Sequence, residues 1–101
     1  MSWAQRAKQT LRRGQRAQVR PRGHSMRGKV ESGNLVTLAP ITRALELKAG
    51  DIVLVRVRGT DYLHLIKAVN GRRFLIGNNR GGTNGWVGPA AIYGIAVHIE
   101  D

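Results

Sequence analysis

In a chain with no cysteine, covalent chemistry must come from a hydroxyl, an amine or a carboxylate, and the residue that invites the question is Ser25 in "QVRPRGHSMRGKV", residues 18–30. A serine hydroxyl is a weak nucleophile at neutral pH and needs a base beside it. Two residues of the run "YLHLIKAVNG", His64 and Lys67, have the right chemistry. On a strand, side chains alternate, so Tyr62, His64 and Ile66 share one face while Leu63, Leu65 and Lys67 share the other. His64 and Lys67 therefore cannot both face Ser25, and spacing alone leaves open which one does.

Other chemistries have less to stand on. The three histidines, His24, His64 and His98, are too widely spaced for a metal-ligand pattern, and the six acids form no paired cluster. No metal or cofactor is expected. Neither a GxGxxG stretch nor a phosphate-loop lysine motif occurs, so nucleotide binding has no motif to rest on.

The elements that must position these residues fit one small domain plus an arm, since 101 residues have room for one core. The net charge of +11 is uneven. Residues 1–30 hold nine Lys or Arg and no acid, whereas residues 31–101 hold eight bases against six acids. Such an arm suits phosphate backbone, an anionic surface or an acidic partner, with Arg12, Arg13, Arg16 and Arg20 as candidate anion contacts. No run of about 18 apolar residues occurs, and residues 1–18 lack the apolar core of a secretory signal. A soluble cytoplasmic protein without a membrane span is the expectation.

Ser2 is placed to cap a helix over residues 3–13, with Trp3, Ala7 and Leu11 as a narrow stripe that docks on the body, and Gly14 to end it. Residues 15–24 read as extended chain and a turn. From Val30 onward the pattern is short β runs: "NLVTLAP" (34–40), "DIVLVRVRG" (51–59), "YLHLIKAVNG" (62–71), "RFLIGNN" (73–79) and "IYGIAVHI" (92–99). "AVNGRRF" predicts a hairpin turn at Asn-Gly. "ESGNLVTLAP" and "KAGDIVLVRV" resemble each other as two equivalent strand starts. "NRGGTNGWVGPAA", residues 79–91, reads as a loop with Trp86 closing a core edge. The fold expected is mostly β, a small twisted antiparallel sheet or partly open barrel with a short basic N-terminal helix.

The order "GHSM", "GNLVTLAP", "KAGDIVLVRV", "YLHLIKAV", "RFLIGNN", "IYGIAVHI" resembles the superfamily of signal peptidases and SOS-repressor (LexA-type) self-cleaving peptidases, over roughly residues 19–99. The resemblance implies a basic helix or arm over 1–18 and a peptidase domain over 19–101. Ser25 matches the family's nucleophile. His64 falls where the family's general base sits, as in those members that use histidine instead of lysine, leaving Lys67 as the alternative base. Backbone N–H groups at Ser25 would meet the oxyanion, and a protein or peptide substrate would lie extended along a strand edge. Two positions differ from the family pattern: Gly28 stands where a proline is usual, and Asn34 replaces the acid of the first Gly-Asp. The function expected is a serine endopeptidase. The alternative is a non-catalytic basic β domain that binds nucleic acid or an acidic protein through its arm.

Overall fold

The computed structural model describes residues 2–101. Helix α1 spans Trp3–Arg12, and seven strands follow: β1 (Ala17–Val19), β2 (Leu35–Pro40), β3 (Ile52–Val57), β4 (Thr60–Asn70), β5 (Arg73–Gly77), β6 (Thr83–Val87) and β7 (Ile92–Glu100). They form one sheet in the order β1-β2-β7-β3-β4-β5-β6, with every neighbouring pair antiparallel. The sheet stays open, with β1 and β6 at its edges. The mostly β fold expected from the sequence is thus the one observed, as an open sheet and not a barrel. Among the described residues, no helix is long and apolar enough to cross a membrane.

The sheet carries core on both faces because its central strands alternate between two apolar clusters. Leu54, Leu63 and Leu65 join Val36, Leu38, Met26 and the helix residues Ala4, Ala7 and Leu11 on one side. Val53, Val55, Val57 and Ile66 join Phe74, Ile76, Val87 and Ile92 on the other. A half-buried sheet would read apolar and polar in turn, and "IVLV" has no polar position because neither face meets water.

Helix α1 is fastened at both ends and along one side. Ser2 Oγ accepts from the Gln5 N–H at 3.2 Å, the side-chain cap of the first turn. At the other end Gln15 N–H donates to Thr10 O and Gly14 N–H to Leu11 O, with Gly14 at φ +78°; this is a Schellman stop, which needs the left-handed residue that glycine supplies. Leu11 is 4 % exposed, a burial that contributes about 2 kcal/mol to docking. The space for it exists because β7 carries Gly94, where a Cβ would stand 2.8 Å from Leu11 Cδ1.

The buried face of α1 is Ala4, Ala7, Lys8 and Leu11, so Trp3 is not part of it: the expected stripe is rotated, and Trp3 stays 45 % exposed. Lys8 is inside because Asp61 of β4 receives its ammonium at 3.1 Å and the Tyr93 ring lies 4.8 Å beneath it. A buried ammonium requires such a partner.

Two local readings are corrected. Residues 79–91 are not all loop, because Thr83–Val87 pairs with β5 as an edge strand; backbone pairing, which Gly85 permits, makes a strand where propensity shows none. Ala17–Val19, inside the stretch read as extended chain, is extended as expected and pairs with β2 as the other edge strand. The β4–β5 hairpin closes at the pair Asn70 and Arg73, so its central residues are Gly71 and Arg72. Gly71 has φ +60° and Arg72 has no positive φ, which matches a turn with glycine in the first central position, one residue later than Asn-Gly would place it.

The two strand starts are equivalent in space as they are in sequence. Asn34 Oδ1 accepts from Glu31 N–H at 2.8 Å, and Asp51 Oδ2 accepts from Lys48 N–H at 2.9 Å. In each, the return bond runs from the Asn34 or Asp51 N–H back to the carbonyl three residues earlier, after a glycine of positive φ, Gly33 or Gly50. The turn needs only a side-chain acceptor oxygen, which asparagine and aspartate both supply.

Candidate active site

Ser25 sits on a tight turn between β1 and β2 whose shape follows from where its neighbours go. Met26 and Val30 are buried, at 4 % and 3 % exposure, and they pull the turn onto the core while Ser25 remains on the surface. Val30 N–H donates to Met26 O at 2.8 Å, and Gly33 N–H closes the base of the loop on Pro21 O at 2.8 Å.

A second loop holds the turn from outside. In the β5–β6 connection, the Asn79 N–H donates to Ser25 O at 2.9 Å and Asn79 Nδ2 donates to Arg27 O at 2.7 Å. Asn78 shapes that connection, its Oδ1 accepting from the Arg80 and Gly82 N–H groups. Gly28, at φ +96°, lies against it: a Cβ there would come within 3.0 Å of Asn79 Nδ2.

His64 reaches the turn from the middle of the sheet, where its register partner is Val53 of β3. Its Nε2 lies 3.2 Å from Ser25 Oγ, and its Nδ1 lies 2.8 Å from Asn84 Oδ1 on β6. The amide oxygen can only accept, so Nδ1 carries the proton and Nε2 presents its lone pair to the serine hydroxyl. Tyr62, two residues earlier on the same face, stacks on the imidazole with ring centroids 4.6 Å apart, which restricts its rotation. His64 is 6 % exposed, and burial pushes its pKa below the ordinary histidine value, an effect the Asn84 hydrogen bond partly opposes. The ring is therefore neutral at pH 7, the form a general base needs.

The structure brings Ser25 and His64 together across 39 residues of chain and leaves Lys67 apart from them. Lys67 lies at a bulge, where the β4 register shifts between Ile66 and Ala68. Its ammonium donates to Asn78 O at 2.9 Å, so it braces the β5–β6 connection. His24 is exposed beside Ser25, and His98 pairs with Glu100 at 3.2 Å. Of the arm arginines, Arg12 lies over the Tyr93 ring at 5.7 Å, Arg13 Nε donates to Gln9 O, and Arg20 donates to Gly33 O at 2.9 Å; Arg16 is exposed.

Asn84, Asn79 and Tyr62 complete the site, and the sequence reading assigned none of them a role. The asparagines stand in "GNNRGGTNGW", where their density was the one available signal. A cleft of about 470 Å³ opens onto Ser25 and His64, walled by Trp3, Arg20, Arg22 and Tyr62 among others. Compared with protein families, with curated proteins and with solved structures, the chain finds no match.

Proposed function

We propose that this protein is a serine endopeptidase of the signal-peptidase/LexA type, with Ser25 as nucleophile, His64 as general base and Asn84 as the residue that orients the base. The observation that carries this reading is the hydrogen-bonded line from Ser25 Oγ through both nitrogens of His64 to Asn84 Oδ1, at 3.2 and 2.8 Å. Nucleophile and base lie at the separation expected of a free enzyme.

Ser25 Oγ attacks the scissile carbonyl carbon as its proton passes to His64 Nε2. The charge that develops on the carbonyl oxygen needs donors, and the Ser25 N–H has no acceptor among the described residues. Collapse of the tetrahedral adduct breaks the C–N bond, and His64 returns the proton to the leaving amine. Water then repeats the sequence on the acyl-serine, releasing the second product and restoring the hydroxyl. Asn84 stays neutral throughout; it fixes the tautomer and turns Nε2 towards Ser25.

The two departures from the family pattern have structural roles compatible with this chemistry. Gly28 makes room for Asn79, and Asn34 performs the same turn-closing task as Asp51.

The test is labelling by a fluorophosphonate, whose phosphorus is attacked by an activated serine oxygen with loss of fluoride to leave a phosphonylated serine, followed by peptide mapping. Modification at Ser25 that disappears in Ser25→Ala and drops steeply in His64→Ala is the expected result. An unlabelled Ser25 in folded protein would sink the proposal.

A further inference from the structure

We infer that the basic groove between α1 and β1 selects peptide segments rich in Asp and Glu and delivers them to Ser25, so that the arm is a substrate-specificity element. This rests on the peptidase reading above and adds the class of substrate to it.

The groove and the cleft are one surface. The cleft at Ser25 has Trp3, Arg20 and Arg22 in its walls. A second cavity of about 430 Å³ between α1 and β1 shares Trp3 and Arg20 with it and adds Arg6 and Arg16. Four guanidinium groups thus line a path that ends at the nucleophile. Among the described residues none of the four makes a salt bridge. The acid that borders the path is Asp61, and its carboxylate is already shared between Lys8 at 3.1 Å and Arg56 at 3.3 Å. The local charge is therefore positive and uncompensated, although the chain from residue 31 onward is nearly balanced.

Three features favour an acidic peptide over a nucleic acid as the occupant. The path leads to a Ser–His pair, whose chemistry acts on acyl groups. It runs along β1, an edge strand whose second backbone side is unpaired in the sheet, which suits an extended polypeptide. Its exposed aromatic is Trp3 alone, whereas single-stranded nucleic acids are held by successive stacking rings. Arginine also binds carboxylates in a two-pronged geometry, and Arg20 is held in place by Gly33 O at 2.9 Å.

The test compares three peptide libraries of equal length and apolar content that carry Glu, Gln or Lys at the same intervals. At about 50 mM salt the protein should cleave the Glu library roughly tenfold faster than the Gln library, and the advantage should shrink several-fold at about 500 mM, where screening is short-ranged. The double reversal Arg16→Glu with Arg22→Glu should turn the preference towards the Lys library. Equal rates on Glu and Gln libraries would overturn the substrate class and leave the peptidase standing. If no library is cleaved, binding of a fluorescein-labelled oligo-glutamate peptide to Ser25→Ala protein decides. Salt-sensitive binding abolished by the double reversal upholds the groove while the peptidase fails, and no binding overturns the groove. A single-stranded oligonucleotide that displaces that peptide at a lower concentration than free peptide does would also overturn it.

Discussion

Asn84 Oδ1 stands 2.8 Å from His64 Nδ1, on the side of the imidazole away from Ser25. The relationship joins edge strand β6 to central strand β4 across β5, so the orientation of the imidazole depends on how the β5–β6 hairpin curls over the sheet. Replacing Asn84 by Ala frees the ring to turn, and kcat should fall tenfold to a hundredfold, about what a misplacement near 1 Å costs. Asn84→Asp keeps an acceptor and adds a negative charge that favours imidazolium, so the acid limb of the pH–rate profile should move up by about a unit. An unmoved limb would show that residue 84 does not touch the base during turnover.

The pH dependence follows from burial of His64. Its pKa lies below about 6.5, so kcat/KM should be flat at neutral pH and fall only at a midpoint lower than that of free histidine. Stability carries the same sign. Between the lowered value and about 6.5 the unfolded chain binds more protons at this site than the folded one, so folding weakens as pH drops through that window and this contribution is fully present above it. Urea midpoints for wild type and His64→Gln across this range check it: the variant should lose that part of the slope.

Gly28 is predicted to be intolerant for two separate reasons. Its φ of +96° is unfavourable for any L side chain, at a cost of roughly 1–2 kcal/mol. Its missing Cβ also leaves space for Asn79 Nδ2. Gly28→Ala should therefore lower activity more than its modest loss of stability explains, because the loop that displaces is the one bonded to Ser25 and Arg27. A crystal structure of the variant with an unmoved Asn79 would contradict this.

The Lys8–Asp61 pair makes asymmetric predictions. The Lys8 side chain is 5 % exposed and that of Asp61 14 %, so Asp61→Ala strands a buried charge and should cost about 3 kcal/mol. That lowers the melting temperature by more than about 10 °C for a chain of this size. Lys8→Met leaves Asp61 with Arg56 and should be much milder. Equal melting temperatures for the two variants would mean that Lys8 reaches water in solution.

How much of the fold could be read in advance depends on which forces are local. Helix α1 was legible to within a residue because its cap, its glycine stop and its apolar spacing all lie inside one segment. So were the cores of β2, β3, β4, β5 and β7, where aliphatic runs meet glycine turns. The edge strand β6 was illegible: "TNGWV" has little β propensity, and it is a strand because β5 offers a ladder to pair with. The bulge at Lys67 and the turn at Gly71 likewise depend on register, which is a property of two strands at once.

The candidate site divides the same way. By itself the sequence determined that a turn beside Ser25 precedes a strand carrying His64, because Pro21 and Gly23 mark the turn and aliphatic neighbours specify the strand locally. It also determined that most of the net positive charge lies in the first 30 residues. Only the tertiary structure decided that His64 and not Lys67 meets Ser25, that Asn84 and Asn79 come from one distant hairpin to hold the imidazole and the serine loop, and that Arg16 and Arg20 share a groove with Arg22. Those outcomes depend on strand order and sheet curl, which arise from packing two cores against one sheet and appear in no single segment of the chain.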